Sequence, residues 1–343
     1  MLGGFYKPGE ARIDLRKFCK LTGVTFRQER VIKISGDKRT LNTDQSETEF
    51  DYLIINTGVV SENPFGSHDH VFPVKPLSNL FRFEENLSKG LYRNIVIAGA
   101  GGAGTEIALN LSVRPTKPQI NITVVEKSDS ILNGFDPRLS AKLRSVLEQR
   151  DVRVLCGDEI KEVQENTIKT QNGNELPFDA CLLATGNKAV TSGIDHDLPE
   201  SEIGRILVNK NLETTPHSGI FAAGDTAEIR KLGLPQIGVH AVYQGKQLRK
   251  NLDRIFQGLE PEPYVPFKFT PLIFSTGSSQ SSLAIPGYPF SVTNRFMTAL
   301  KYTLDQEWVE SCQVERSSHR NYMRLFLDGW RFMREIKTTK SAL

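Results

Sequence analysis

The stretch that most limits what this chain can fold into is Asn94-Ile-Val-Ile-Ala98, followed at once by Gly99-Ala100-Gly101-Gly102-Ala103-Gly104 and then Thr105-Glu106-Ile107. A short apolar run that enters glycines and then a helical pattern reads as strand, tight turn and helix start. Gly99 permits the turn, Gly101 lets the backbone approach a pyrophosphate, and Gly104 lets helix and strand pack closely. The helix N-terminus adds oriented N–H groups and a partial positive charge. Twenty-two residues past Gly104, after the next apolar run Ile120–Val125, stands Glu126. A carboxylate there accepts hydrogen bonds from ribose hydroxyls and repels a 2′-phosphate, which favours NAD over NADP, although Lys127 tempers the choice. Glycines alone also make plain turns; strand, helix and acid together point to a dinucleotide.

Short apolar runs alternating with helical patterns extend this unit into parallel α/β layers. Asp51–Asn56, Arg153–Leu155, Phe178–Ala184 and Gly219–Ala223 read as further strands, and Pro137–Gln149 and Ile237–Phe256 as helices. From Pro261 to about Pro289 the chain is Pro-rich and β-like, then helical and basic. Thr57-Gly58 and Thr185-Gly186 end two of the strands and Gly224-Asp225 a third. Each Thr-Gly pair fits an ordinary turn. Their recurrence on either side of the glycine-rich loop suggests two nested nucleotide-binding units. Asp225 stands where open α/β sheets bind ligands, and equally where a helix beginning at Thr226 would need an N-cap.

At 343 residues the chain suggests two domains. Its net charge of +3 is too small to argue for nucleic-acid binding. The positive excess is local: from Arg316 to Leu343 seven basic residues face two acidic ones. Tyr322, Leu325, Phe326, Trp330 and Met333 share one helical face there, with Arg320, Arg324 and Arg331 opposite. Such a helix can lie in a membrane interface or pack on its own domain or a partner. Cys19, Cys156, Cys181 and Cys312 are scattered, which gives neither a zinc set nor a redox pair and favours a reducing compartment. Cys181 sits in an apolar run and is expected to be buried and inert. The histidines form no metal-ligand pattern, and no metal is expected. The start at Met1 shows no signal-peptide core, and no apolar run is long enough to span a membrane.

Together these segments resemble the pyridine nucleotide–disulfide oxidoreductase superfamily, and within it the type II NADH dehydrogenase-like flavoproteins. The likeness includes Phe50–Gly58, Gly99–Glu106, Phe135–Leu139, Gly219–Asp225, Gly238–Gly245 and Phe274–Gly277. It implies an α/β fold of two nested three-layer Rossmann-like FAD/NAD(P)-binding domains, the first incomplete, plus a small C-terminal α+β region. The implied boundaries are 1–80 and 201–260 for the FAD-binding domain, 81–200 for the NAD(P)-binding domain, and 261–343 for the C-terminal region. The resemblance further implies bound FAD, NADH as hydride donor, and transfer to flavin N5. Gly99, Gly101, Gly104, Glu126, Thr185 and Gly186 would then hold NAD. Val31, Thr57, Gly58, Gly224, Asp225 and Val239 would hold FAD, with Asp225 on the ribityl chain and the helix starting near Val239 aimed at the flavin ring.

Glu106 and Gln244 are the implied catalytic residues. Glu106 matches a carboxylate near nicotinamide and flavin, or serves as a first-turn acid favoured by the helix dipole. The disulfide reductases of the family use a cysteine pair that this chain lacks. Type II dehydrogenases carry two glutamines at the quinone site; the matching stretch Gly238–Gln244 keeps Gln244, and Val239 replaces the first glutamine. The resulting expectation is an NADH-oxidising flavoprotein that passes electrons to a quinone or other small acceptor, on the cytoplasmic side, with 316–337 on a membrane surface and a homodimer left open. In the family a first strand–loop–helix unit grips the FAD pyrophosphate, and Met1 matches a position after it. A weakened FAD site is therefore expected. The alternative is a truncated or degenerate paralogue that acts as a nucleotide-binding protein.

Overall fold

The computed structural model describes residues 2–4, 6, 12–311 and 328–329; most of the basic segment 316–337 and Cys312 lie outside them. Six α-helices are assigned among these residues: α1 (Leu15–Thr22), α2 (Ser78–Ser88), α3 (Gly102–Leu111), α4 (Pro137–Glu148), α5 (Gly238–Phe256) and α6 (Arg295–Ser311). The chain divides into two compact units. One comprises 1–26, 63–185 and 269–343, the other 27–62 and 186–268.

The first unit is built on a five-stranded parallel sheet. Its order is Val71–Pro73, Ala180–Leu183, Asn94–Ala98, Asn121–Glu126, Arg153–Cys156. The strand that feeds the glycine-rich loop is central, and four of its five residues are buried. Burial on both faces is why these strands read as continuous apolar runs and not as alternating ones. Beneath one face Phe72, Phe83 and Tyr92 pack ring on ring, with centroids 5.4–6.2 Å apart. The strand Ala180–Leu183 buries Cys181 completely, and burial pushes its thiol up to about 12. The thiolate is the reactive form, so this cysteine is inert. An antiparallel sheet, Leu272–Ser275, Ser281–Ala284 and Ser291–Asn294, carries α6 and contacts α3 through its first strand.

The second unit contains a sheet ordered Asp195–His196, Val31–Ser35, Thr40–Thr43, Glu47–Glu49. It also holds a parallel pair, Leu53–Ile55 with Ile220–Ala222. Ile220, Phe221 and Ala222 are fully buried in a core closed by Leu248 of α5 and by Tyr264. Both strands of the pair end at the same edge, so Thr57-Gly58 and Gly224-Asp225 come together. The α/β fold expected from the sequence is the one observed.

Candidate functional site

Gly104 is the least replaceable residue of the loop. A Cβ built there would lie 1.9 Å from the Gly99 carbonyl oxygen. Gly99 adopts φ +90°, and a Cβ on it would meet the Ala184 carbonyl oxygen at 2.8 Å. Gly101 differs, since a Cβ there meets nothing within 4 Å. It is also the N-cap of α3 and offers no side-chain cap. The orphan N–H groups of the first turn thus have no side-chain cap, as an anion cradle requires. These residues fit a dinucleotide pyrophosphate.

Glu126 ends the neighbouring strand, buried, and braces the loop. Its Oε2 accepts the Ala100 N–H at 2.5 Å and its Oε1 the Ser128 N–H at 2.8 Å. A carboxylate has about four acceptor positions, so capacity remains for ribose hydroxyls. Thr185 packs its methyl group toward Gly99, and Gly186 begins the second unit beside the Glu62 carboxylate.

Glu106 lies on α3 one turn past the loop. Its carboxylate does not turn back to its own helix terminus. Oε1 accepts the Ser275 N–H at 2.8 Å and stands 3.5 Å from the Lys301 ammonium on α6. Asn110, the next turn of α3, exchanges bonds with Ser275 through both its oxygen and its nitrogen. Asp305, one turn on from Lys301, lies 3.7 Å from the same ammonium. Burial alone would lower the Lys301 pKa; Glu106 and Asp305 outweigh it and hold the group above its ordinary value of 10.5. This ion pair opens on a cavity of about 360 Å³ lined by Leu80, Ile107, Asn110, Ser275, Thr298 and Tyr302 among others. That volume is within the range of small-ligand sites, and its mostly apolar wall with a few convergent polar groups is their usual composition. Lys301 could have been suspected from its Lys-Asp spacing along a helix, but its meeting with Glu106 could not.

In the second unit Gln244 is buried on α5. Its Oε1 accepts the Gly224 N–H at 2.7 Å. Gly224 adopts φ +74°, with Asn56 Oδ1 3.1 Å from where a Cβ would sit. Asp225 belongs to the short 3₁₀ turn Gly224–Thr226, and a strand, Ala227–Ile229, follows it. No helix begins there, so the N-cap alternative for Asp225 falls. Thr57 Oγ1 lies 3.1 Å from Thr226 Oγ1, which ties the two strand ends together. Gly58 is left-handed at φ +71°, with open space where a Cβ would be. Helix α5 begins after Ile237 with no side-chain cap, so Gly238 and Val239 present an uncapped terminus. Val31 begins the strand Val31–Ser35, half-buried and paired with Thr43. His240 is buried with Nδ1 2.9 Å from the Tyr264 hydroxyl, and Tyr243 stacks edge-on with Phe267. The uncapped helix terminus and the open turn at Gly58 fit the ribityl and ring portions of a flavin.

The structure also gathers Asp37, Asp197 and His217, whose sequence spacing gives no sign of it. Asp197 is occupied there as a turn acceptor, taking the N–H groups of Gly36 and Asp37.

A glycine-rich loop that opens a helix, an acid at the next strand end, and a second nucleotide-type strand edge define one kind of chain. The family model for "Pyridine nucleotide-disulphide oxidoreductase" matches residues 8–245. The chain belongs to this family. Its members bind FAD and NAD(P)H. The chain is 23% identical over 297 residues to ferroptosis suppressor protein 1 of Taeniopygia guttata, covering 82% of this chain and 76% of that one. It is 24% identical over 274 residues to the type II NADH:quinone oxidoreductase of Staphylococcus aureus, covering 70% and 67%. Among solved structures it resembles the reduced CoADR-RHD of Bacillus anthracis, with TM-score 0.70, 18% identity, and coverage of 83% of this chain and 53% of that one. It also resembles the water-forming NADH oxidase of Lactobacillus brevis bound to NADH, with TM-score 0.68, 19% identity, and coverage of 83% and 64%. The chain thus spans about half to two-thirds of those two structures, and likeness at this identity shows the fold.

Proposed function

We propose that this member of the family is an NADH-dependent flavin oxidoreductase that delivers two electrons to a quinone or other small acceptor. The observation that carries the reading is the Glu106–Lys301 pair facing an apolar cavity one helical turn from the glycine-rich loop. Gly99, Gly101 and Gly104 would hold the pyrophosphate, and Glu126 the ribose. Thr185 and Gly186 would lie along NAD. Val31, Thr57, Gly58, Gly224, Asp225 and the α5 terminus at Val239 would hold FAD. Held there, FAD would supply the two-electron redox chemistry that links dihydronicotinamide oxidation to reduction of an acceptor.

The chain's own contribution is to position groups and supply a proton. Two-electron reduction of a quinone consumes two protons, only one of which arrives with hydride. The Lys301 ammonium holds the other at Nζ, and the Glu106 carboxylate fixes its direction while bonded to the backbone of Ser275. Gln244 acts as a positioning residue, since it holds the Gly224 turn. Relatives that reduce a quinone by name include the S. aureus enzyme. Val239 in place of the first glutamine keeps the acceptor open to other small molecules. Contact of 316–337 with the cytoplasmic membrane surface belongs to the same proposal. No helix among the described residues is long and apolar enough to cross a membrane.

The test uses the full chain reconstituted with FAD. Stoichiometric flavin that is bleached by NADH and restored by a water-soluble quinone supports the reading; flavin that binds but is not reduced sinks it.

A further inference from the structure

The second unit brings together three ligating side chains that the nucleotide and acceptor reading does not use. The strand Asp195–His196 runs parallel to Val31–Ser35, with His196 opposite Ile34. Asp197 therefore comes beside the hairpin turn that carries Gly36 and Asp37. His217 stands in the loop before Ile220–Ala222. One ligand atom from each of Asp37, Asp197 and His217 lies within 4.8 Å of the other two. The imidazole is held from two sides. Its Nε2 is 3.3 Å from the Asp197 carbonyl oxygen, and a Cβ on Gly36 would stand 2.7 Å from the ring Cγ and Nδ1. A carbonyl oxygen only accepts, so Nε2 carries the proton and the neutral ring keeps its lone pair on Nδ1. The side chain is only 8% exposed, and Nδ1 makes no hydrogen bond among the described residues. That lone pair points at Asp37 Oδ1, 3.5 Å away.

Lone pairs that face one another with no proton between them repel unless a cation joins them. A far-side ring N–H bonded to a backbone carbonyl is the support that ligating imidazoles use. Asp197 is anionic: burial acts to raise its pKa, and bonds from the Gly36 and Asp37 N–H groups and the Ser35 hydroxyl outweigh it. Those three donors leave about one of its four acceptor positions for an ion. Ligands on a tetrahedral ion with bonds of about 2.0–2.2 Å stand about 3.3–3.6 Å apart. Nδ1 and Asp37 Oδ1 already have that spacing, and the Asp37 side chain, 81% exposed, has room to close the rest. We propose that Asp37, Asp197 and His217 bind a divalent transition-metal ion of the zinc class, with water completing the coordination. Imidazole favours such an ion over magnesium and calcium, which take oxygen ligands. The ion ties the hairpin turn to a strand end 160 residues further on and to the loop before Ile220. No residue of the oxidoreductase reading takes part.

The experiment is calorimetric titration of zinc chloride into the metal-stripped full chain. One equivalent should bind, and zinc at about ten times its Kd should raise the thermal midpoint by about 3–6 °C. Asp37→Asn and His217→Gln should each weaken binding at least about tenfold. Asp37 is exposed, so its variant removes a ligand and leaves the fold intact, which metal-free unfolding checks. A control with His68→Gln and His70→Gln should bind zinc as the parent does. A parent with no saturable zinc site below about 1 mM overturns the proposal. So do Asp37 and His217 variants that bind like the parent, or a control variant that loses the site. If zinc leaves the parent midpoint unmoved while Asp37→Asn alone lowers it, an imidazolium–carboxylate pair fills the place and the proposal also falls.

Discussion

The Cα of Gly104 is so close to the Gly99 carbonyl that a methyl group on it would stand 1.9 Å from that oxygen. Both atoms are backbone, and neither has room to yield. Gly104→Ala should therefore destabilise the first unit by more than the ~1–3 kcal/mol usual for overpacking. Gly101→Ala puts its methyl into open space and should leave unfolding unchanged while weakening NADH binding. Denaturant unfolding and NADH titration of the two variants separate packing from ligand contact. Equal unfolding midpoints for both would refute the distinction.

Arg114 forms a two-pronged bond with Glu84, at 2.6 and 2.7 Å, and its Nη1 also donates to the Leu2 carbonyl oxygen. Both side chains are only 11% exposed. Removing one partner strands the other charge, so Arg114→Met should cost about 3–5 kcal/mol. The double replacement Arg114→Met with Glu84→Leu should recover most of it. A single variant within about 0.5 kcal/mol of the parent, the usual range for surface changes, would show that the pair is solvated in solution.

The elements legible in the sequence were those whose signal is local. Asn94–Ala98 was marked by an apolar run entering glycines, and α4 by its helical period from Pro137, where the structure adds Asp136 as its N-cap. The antiparallel strands Ile160–Val163 and Thr167–Thr170 were missed because each buries only alternate or terminal residues, and Lys-Glu between apolar ends reads as loop. Helix α1 was missed for a related reason: none of its residues is buried, so no core-directed run betrays it. Within the candidate site the loop and Glu126 were legible because one strand–turn–helix–strand unit contains them. The bond from Ser275 to Glu106 spans 169 residues, and Lys301 reaches Glu106 from a helix still further on. Contacts of that range are set by the fold and leave no spacing to read.

Glu126 takes two backbone N–H groups and still offers lone pairs at the strand end. Glu126→Ser should shift the NADPH-to-NADH ratio of kcat/KM upward on the order of tenfold, equivalent to about 1.4 kcal/mol, because the repulsion of a 2′-phosphate is gone. It should also lower stability by about 1–3 kcal/mol, since the Ala100 N–H loses its acceptor at a buried position. An unchanged ratio would mean that Glu126 braces the loop and does not select the nucleotide.

His240 is held neutral: burial against Tyr264 lowers its pKa below the ordinary 6.5. The unfolded chain then binds the extra proton first as pH falls. The stability tied to this residue is complete above about pH 6.5 and is lost as pH drops through the folded-state value. Unfolding midpoints recorded from pH 8 down to 5 should decline below about 6.5. His240→Asn should flatten that decline, and an identical slope in the variant would remove His240 as its source.

Lys301 titrates in the opposite sense. Burial acts to lower its pKa, but Glu106 and Asp305 raise it above 10.5, so the ammonium persists across the neutral range. Its stabilising contribution is complete below the unfolded value of about 10.5 and is lost only as pH rises through the higher folded value. Turnover should therefore show no limb from Lys301 between about pH 6 and 9. Lys301→Met removes the proton donor and should slow acceptor reduction about 100-fold, the lower range for general acid catalysis. Flavin reduction by NADH, followed separately by stopped flow, should be nearly unchanged in the same variant. Lys301→Arg keeps the charge beside Glu106 but holds its proton more tightly, and should restore stability without restoring acceptor turnover. If the methionine variant reduces a soluble quinone at the parent rate, Lys301 is not the proton source and the ion pair serves only to fasten α6 to α3.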